Sequence, residues 1–276
     1  MKDWEERREK IRTDIGANTG LRVLVVEGED DRRFIESLLT TRNGSSWTTS
    51  WIIGEAGGKS PLLKILKDQA AWFGLIDKDE WTDSEVTDQQ NAFPGRLFAM
   101  PRFCMENYHT VPAELWAQLE PARQQAVQGG FATFETAILQ PLDQWVHHGA
   151  LWHAANPLQA SLQALGFKTD LLDFNLANAG DAAIEAKLKD WYDHLEPSRV
   201  MSLYKANLAT AQAASVEERL MRWVHGKHFF RRHVKNTVAS LTGAPTLPNE
   251  ATLANLQSKM SVPADLQPIW TALGLP

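Results

Sequence analysis

Apolar residues in the first hundred positions alternate between short β-branched runs and segments with helical spacing. The run Leu21 to Glu27 is apolar until it ends in a carboxylate, and residues 30–40 then place Phe34, Ile35, Leu38 and Leu39 on one helical face. The same sequence of a short apolar run and an amphipathic segment follows. The pattern predicts strands at 21–27, 48–53, 72–76 and 96–100, helices at 30–40 and 61–72, and a polar loop after Asp79.

This alternation of strands with helices predicts an α/β fold with a parallel, Rossmann-like sheet. From Pro112 onward the strand signal is nearly gone, and prolines separate helical segments. We therefore predict an α/β catalytic core at 1–110 and a mainly helical region at 111–276 that packs on it.

Composition narrows the class of protein. The chain has 276 residues, 43% of them hydrophobic, and a formal net charge of -6. That charge argues against a protein that coats nucleic acid non-specifically. The single cysteine, Cys104, excludes an intramolecular disulfide and a thiolate zinc site. The charged N-terminus and the lack of an apolar run of roughly 20 residues predict a cytoplasmic protein with no membrane anchor.

Carboxylates follow two of the predicted strands. Glu27 ends the first, and Asp77 and Asp79 follow the third, at the sheet edge where α/β proteins bind ligands. On an extended segment Asp77 and Asp79 point the same way, so both could face one ion. Oxygen donors without His or Cys select Mg²⁺ or Mn²⁺. Asp31, in the acidic run after Glu27, is either a further ligand or the N-cap of the next helix.

Basic residues concentrate in one late segment. Residues 219–235 contain six Lys or Arg, three His and no acid. A helix from 228 to 241 would display Arg231, Arg232 and Lys235 beside an apolar face formed by Phe229, Phe230, Val234 and Val238. This face is either a phosphate-binding surface or an ordinary solvated one.

The strand-end acids resemble the TOPRIM (topoisomerase-primase) superfamily. Its pattern is a Glu after the first strand and Asp-x-Asp after a later one, which Val26-Glu27-Gly28 and Ile76-Asp77-Lys78-Asp79 match. Asp31, the fifth residue from Glu27, is similar to the second acid of the overcoming-lysogenization-defect nucleases. The resemblance implies a Mg²⁺-dependent nuclease.

Three shorter motifs narrow the resemblance. Gly57-Gly58-Lys59, Glu106-Asn107-Tyr108 and Gly226-Lys227 occur in the order seen in a bacterial TOPRIM family that is encoded beside ABC-type ATPases. This family includes the nuclease effector of the PARIS anti-phage system. The resemblance implies that Glu106 joins the metal ligands and that Lys59 and Lys227 serve catalysis. Lys59 could also be only a lysine at a helix start.

The same resemblance implies a toxic effector of antiviral defence, cleaving RNA, tRNA in particular, and held by an ABC-type ATPase partner. Two alternatives stay open: a DNA-cleaving TOPRIM nuclease, and an ATPase-associated binding subunit with little activity alone. A homodimer is also compatible with the sequence. Primase or topoisomerase activity is disfavoured, because the chain is short and lacks zinc-binding cysteines.

Overall fold

A small parallel sheet lies at the centre of the N-terminal half. The structure, a computed structural model, describes residues 3–16, 20–79, 81–164, 180–245 and 247–276. Every strand pair in the sheet is parallel, with the order β2-β1-β3-β4. The strands are β1 (Arg22–Val26), β2 (Trp51–Glu55), β3 (Phe73–Ile76) and β4 (Leu97–Ala99). The predicted α/β class with a parallel sheet is therefore confirmed.

Strand β1 lies between β2 and β3 and is apolar on both faces. Its residues 23–26 are all buried, as a strand covered on both sides requires. Val23 and Val25 belong to a core with Leu62, Ile65 and Leu66. Those leucine and isoleucine side chains come from helix α3 (Lys59–Asp68).

Helices α1 and α2 complete the packing around the sheet. Helix α1 (Asp3–Ile15) places Ile11 against Gly54, where a β-carbon would lie 2.5 Å from the Ile11 side chain. Helix α2 (Glu29–Asn43) buries Phe34, Ile35, Leu38 and Leu39, the four residues that the sequence predicted for its apolar face.

The strand order creates a topological switch point. The chain leaves β1 through α2 to reach β2 on one side, and then passes through α3 to β3 on the other side of β1. In open α/β sheets the crevice beyond the carboxyl ends of two such strands is the usual ligand site. Here those strands are β1 and β3.

Two local predictions were wrong. Residues 46–49 form a 3₁₀ turn (Ser46–Thr49), so β2 begins only at Trp51 rather than at 48. The predicted polar loop after Asp79 contains helix α4 (Asp83–Ala92). Its start is set by a capping box, in which the Thr82 hydroxyl accepts from the Glu85 N–H and the Glu85 carboxylate accepts from the Thr82 N–H.

The remainder of the described chain is helical, as the sequence predicted from Pro112 onward. A 3₁₀ turn at Met105–His109 follows β4. The later segments are α5 (Pro112–Ala117), α6 (Pro121–Ala126), α7 (Gly130–Leu139), α8 (Leu142–Ala164), α9 (Asp181–His194), α10 (Pro197–Ala213), α11 (Val216–Glu218), a π-helical turn (Arg219–Trp223), α12 (Gly226–Phe229), a second π-helical turn (Phe230–Val234), α13 (Lys235–Thr242), α14 (Asn249–Gln257) and α15 (Gln267–Leu273).

Contacts divide the chain into two compact units. The first contains Met1–Gln140, Leu220–Arg222 and Gly226–Pro276, and the second contains Pro141–Arg219 and Trp223–His225. The sequence predicted the boundary between the α/β core and the helical region at residue 110. In the structure, residues 111–140 and the C-terminal helices belong to the same unit as the sheet. Among the described residues, no helix is long and apolar enough to cross a membrane.

Candidate functional site

The switch point between β1 and β3 carries the two acids that end these strands. Glu27 directly follows β1 and Asp77 directly follows β3. The Asp77 backbone N–H donates to Glu27 Oε1 at 2.9 Å. The carboxyl ends of the two strands are therefore joined by the Glu27 side chain.

A glycine pair brings Lys59 to these acids. The backbone N–H groups of Gly57 and Gly58 both donate to the Glu27 carbonyl oxygen at 2.8 Å. Their φ angles are +83° and +131°, values that residues other than glycine rarely adopt. Lys59 then opens α3, so it is both the first residue of a helix and a charge beside the site.

The Lys59 ammonium lies between acidic and aromatic groups. Its Nζ atom is 2.8 Å from Asp79 Oδ2 and 3.8 Å from Glu27 Oε1. It also lies 4.5 Å from the centroid of the Trp81 ring, a cation–π distance. Trp81 was not recognised in the sequence, because its contact with Lys59 depends on the turn that follows β3.

Asp79 reaches the site by a different geometry from the one predicted. Strand β3 ends at Ile76, and Asp79 has a φ of +48°, the sole described non-glycine residue with a positive φ. Its N–H donates to the Phe103 carbonyl oxygen at 2.8 Å. The prediction that Asp77 and Asp79 lie on one extended segment was therefore wrong, since Asp79 lies inside a turn in which the Trp81 N–H donates to the Lys78 carbonyl oxygen.

Asp31 and Glu106 complete the acidic cluster. Asp31 lies in the first turn of α2, where its Oδ2 accepts from the Gly28 N–H at 2.9 Å, so Gly28 rather than Asp31 holds the N-cap position. Glu106 lies in the 3₁₀ turn after β4 and is buried. Its charge acts on both Asp31 and Asp77.

Burial and mutual repulsion raise the pKa of several of these acids. Burial, with repulsion from Asp79 and Asp31 and against the attraction of Lys59, raises the pKa of Glu27 to about 7. Burial and the Glu106 charge raise the pKa of Asp31 to about 7, against the hydrogen bond from Gly28. Burial, followed by repulsion from Asp31, raises the pKa of Asp77 well above its ordinary value. Burial alone would lower the pKa of Lys59, but Asp79 and Glu27 outweigh it and the pKa is raised.

A divalent cation fits the chemistry of these donors, because all are carboxylates. The Oδ1 atom of Asp77 is buried and has no hydrogen-bond partner. Within the described ranges, however, no three His, Cys, Asp or Glu are already arranged to hold a metal ion. The Glu27 and Asp79 carboxylates contact Lys59 instead. Joint ligation by these acids therefore requires their side chains to rearrange around the ammonium.

The buried side chain of Arg102 connects the 3₁₀ turn that contains Glu106 to two acidic residues elsewhere in the chain. Arg102 is 2% exposed, forms a two-bond contact with Glu114 at 2.6 and 2.8 Å, and donates to Asp265 Oδ2 at 2.8 Å. It also donates to the Asn107 carbonyl oxygen at 3.2 Å. The role of Arg102 could not be predicted from the sequence, because its acidic partners are 12 and 163 residues away.

The Asn107 side chain connects the 3₁₀ turn at Met105–His109 to the π-helical turn at Arg219–Trp223. Its amide Nδ2 donates to the Leu220 carbonyl oxygen at 2.6 Å, and its Oδ1 accepts from the Cys104 N–H at 3.1 Å. A β-carbon on Gly226 would lie 2.2 Å from Asn107 Oδ1. The motifs Glu106-Asn107-Tyr108 and Gly226-Lys227 are therefore in direct contact, which places Lys227, half-buried, one residue from this contact.

The predicted basic helix is present with its predicted apolar face. Phe229, Phe230, Val234 and Val238 are buried. Arg231 and Arg232 are exposed and Lys235 is half-buried. The helix runs without a break from Gly226 to Thr242 through the π-helical turn Phe230–Val234.

Comparisons with known proteins add no family assignment, since no protein-family model matches the chain and no curated protein matches it either.

Proposed function

We propose that this chain is a divalent-metal-dependent nuclease with a TOPRIM-type, Rossmann-like core. The observation that carries the proposal is the acidic cluster at the β1–β3 switch point, where Asp77 holds a buried carboxylate oxygen without a partner. Concentrating five acids at one sheet edge costs free energy through repulsion, and a bound cation offsets that cost. Acids whose pKa values are raised by burial and by neighbouring charges are typical of functional sites.

The residues of the cluster have distinct roles in this proposal. Glu27, Asp77 and Asp79 would hold Mg²⁺ or Mn²⁺, with Asp31 and Glu106 as further acidic ligands. When bound, such an ion polarises a phosphate oxygen and lowers the pKa of a coordinated water. Lys59 contributes a positive charge beside the scissile phosphate, and Lys227 contributes another from the helix that begins at Gly226.

RNA, and tRNA in particular, is the substrate that the family resemblance implies. The exposed Arg231 and Arg232, with Lys235, give the chain a local basic surface for phosphates despite its net charge of -6. The same resemblance implies a toxic effector of anti-phage defence, released from an ABC-type ATPase. Sequencing cellular RNA ends with and without the ATPase tests this: intact tRNA beside fragmented DNA would contradict the choice of RNA.

The metal-dependent activity is tested on purified protein with labelled RNA and DNA. Cleavage is expected with Mg²⁺ or Mn²⁺ and not with EDTA. Glu27→Gln and Asp77→Asn should abolish it while thermal melting shows an intact fold. Asp88→Asn, at an exposed acid of α4, is the matched control. Cleavage by Glu27→Gln at the wild-type rate would refute the site.

The Lys59 contacts support a second candidate, a subunit that has little activity until a partner acts on it. In the structure Lys59 engages Asp79 and Glu27, two of the proposed ligands. If this contact keeps the site silent, the purified chain should bind Mn²⁺ weakly and cleave nothing, and Lys59→Met should strengthen Mn²⁺ binding. Metal-dependent cleavage by the chain alone would exclude this candidate.

A further inference from the structure

A row of cations runs along the helix that begins at Gly226. Lys227, Arg231 and Lys235 follow one another at four-residue steps, so they share one side of the helix. With a rise of about 1.5 Å per residue, the row from Lys227 to Lys235 is about 12 Å long. Its first member adjoins the Glu106–Asn107 turn, because Gly226 packs against Asn107.

A second helix adds a cation at the far end of the row. Arg123 of α6 and Lys235 line the same small cavity, together with Thr252 and Asn255 of α14. Arg123 is 112 positions from Lys235 in the sequence, and it had no role in the sequence-based prediction. Glu120, the nearest acid before it, forms its ion pair with Lys259.

These cations have no acidic partner in the part of the chain that the structure describes. Ion pairs occupy other arginines and lysines, but Arg123, Lys227, Arg231 and Lys235 are in none of them. Arg123 and Lys235 are also half-buried, beside apolar groups such as Val238 and Leu256. A partly desolvated cation without a counter-charge favours an anionic ligand.

The size of the cavity limits what can enter it. Its volume is about 30 Å³, while one water requires roughly 10–15 Å³ on the same scale. It therefore has room for about two oxygen-sized groups. The non-bridging oxygens of one phosphate group meet this limit and carry the required charge.

We propose that Arg123 and Lys235 form a phosphate-binding site for the nucleic-acid backbone, distant from the bond that is cleaved. The row Lys227–Arg231–Lys235 guides the backbone from the acidic cluster to this site. The identity of the ligand as nucleic acid rests on the proposed function. The site gives affinity for long substrates and contributes nothing to bond cleavage.

The test measures binding of a labelled RNA hairpin in EDTA, over a series of KCl concentrations. Arg123→Ala and Lys235→Ala should each weaken binding and make the slope of log affinity against log salt shallower by about 0.7–0.9 per lost contact. Arg123→Lys and Lys235→Arg should preserve the slope. Lys67→Ala, at an exposed lysine of α3, is the matched control and should change nothing.

Three results would overturn the site. One is a salt slope that neither alanine variant changes, and another is an equal loss with Lys67→Ala. The third is an equal loss of binding to polyglutamate, which would identify an acidic protein surface as the ligand. Thermal melting of each variant excludes misfolding as the cause.

A small substrate separates this proposal from the proposed function. Arg123→Ala should leave Mn²⁺-dependent cleavage of a dinucleotide unchanged and raise the KM for the hairpin with the same kcat. If no metal-dependent cleavage occurs while the salt slope still depends on Arg123, the nuclease assignment fails and the phosphate site stands.

Discussion

At the scale of single residues, the acidic cluster should make the metal-free protein more stable as the pH falls. The pKa of Glu27 is about 7 in the folded protein against an ordinary value of 4.5. The folded state therefore binds a proton more tightly than the unfolded chain, and the free energy of unfolding rises as the pH falls from about 7 to about 4.5. A difference of about 2.5 in pKa corresponds to roughly 3 kcal/mol for Glu27.

Urea unfolding in EDTA from pH 8 to pH 5 measures this dependence. Glu27→Gln should flatten it, while Asp88→Asn should reproduce the wild-type curve. Mn²⁺ should stabilise the protein most above pH 7, where the carboxylates are free to bind it. Stability that falls steadily from pH 7 to pH 5 in the absence of metal would show that the cluster does not have the electrostatics described.

Lys59 should stabilise the metal-free site by offsetting the acidic charge. Lys59→Met removes the 2.8 Å contact with Asp79 and the charge near Glu27. The expected loss at pH 8 is about 1.5–3 kcal/mol, typical of a hydrogen bond between charged groups. At pH 5 the loss should shrink, because Glu27, with a pKa of about 7, is then protonated and no longer needs the ammonium. Lys67→Met should cost nothing at either pH, and an equal loss at both would contradict this role.

At the scale of secondary-structure elements, Arg102 should join the Glu106 turn, α5 and the C-terminal segment. Arg102→Met leaves Glu114 and Asp265 without their partner. Because both carboxylates keep some contact with solvent, we expect a cost of about 1.5–3 kcal/mol, typical of hydrogen bonds to charged groups. Arg12→Met, which removes an exposed contact with Glu9, should cost less than about 0.5 kcal/mol.

Urea unfolding of both variants checks this prediction. Adding Glu114→Gln and Asp265→Asn to Arg102→Met should restore part of the loss, because no unpaired charge then stays near the turn. If Arg102→Met and Arg12→Met cost the same, the network does not hold these elements together.

Gly226 should be required for the contact between the late helix and the Asn107 turn. An alanine β-carbon would lie 2.2 Å from Asn107 Oδ1 and 2.8 Å from the Asn107 backbone nitrogen. Since the backbone cannot yield as easily as a side-chain end, Gly226→Ala should cost more than about 2 kcal/mol. Gly243→Ala, at a φ of +65° with nothing within 4 Å, should cost about 1 kcal/mol. Thermal melting measures both, and equal costs would exclude the close contact.

At the scale of the whole molecule, the predicted catalytic core 1–110 should not fold alone. Leu253, Leu256, Trp270 and Leu273 are buried in the same compact unit as the sheet, and Asp265 pairs with Arg102. A fragment ending at 110 would expose the apolar surface that these residues cover. We expect it to unfold without a cooperative transition in urea, measured by circular dichroism. A sigmoidal, two-state transition would show that the C-terminal helices are dispensable.

The sequence predicted those parts of the site that depend on neighbouring positions. Glu27 and Asp77 were found because each directly follows an apolar strand, and parallel strands bring their carboxyl ends to one edge. Asp79 also lies at this edge, but its backbone was predicted wrongly, because the hydrophobic pattern that ends β3 at Ile76 carries no information about the turn in which Asp79 lies. Helix α4 was missed for a related reason: its ten residues have no buried member, so no apolar period reveals it.

Local periodicity thus determined the α/β class, the parallel sheet, the apolar faces of α2 and the late helix, and the candidate acids. Only the tertiary structure decided how distant segments combine. It placed Lys59 between Asp79 and Glu27, buried Arg102 between Glu114 and Asp265, and brought Arg123 to the cavity of Lys235. Each of these contacts joins residues far apart in the chain, and its free energy depends on burial and charge, which exist only after the chain has folded.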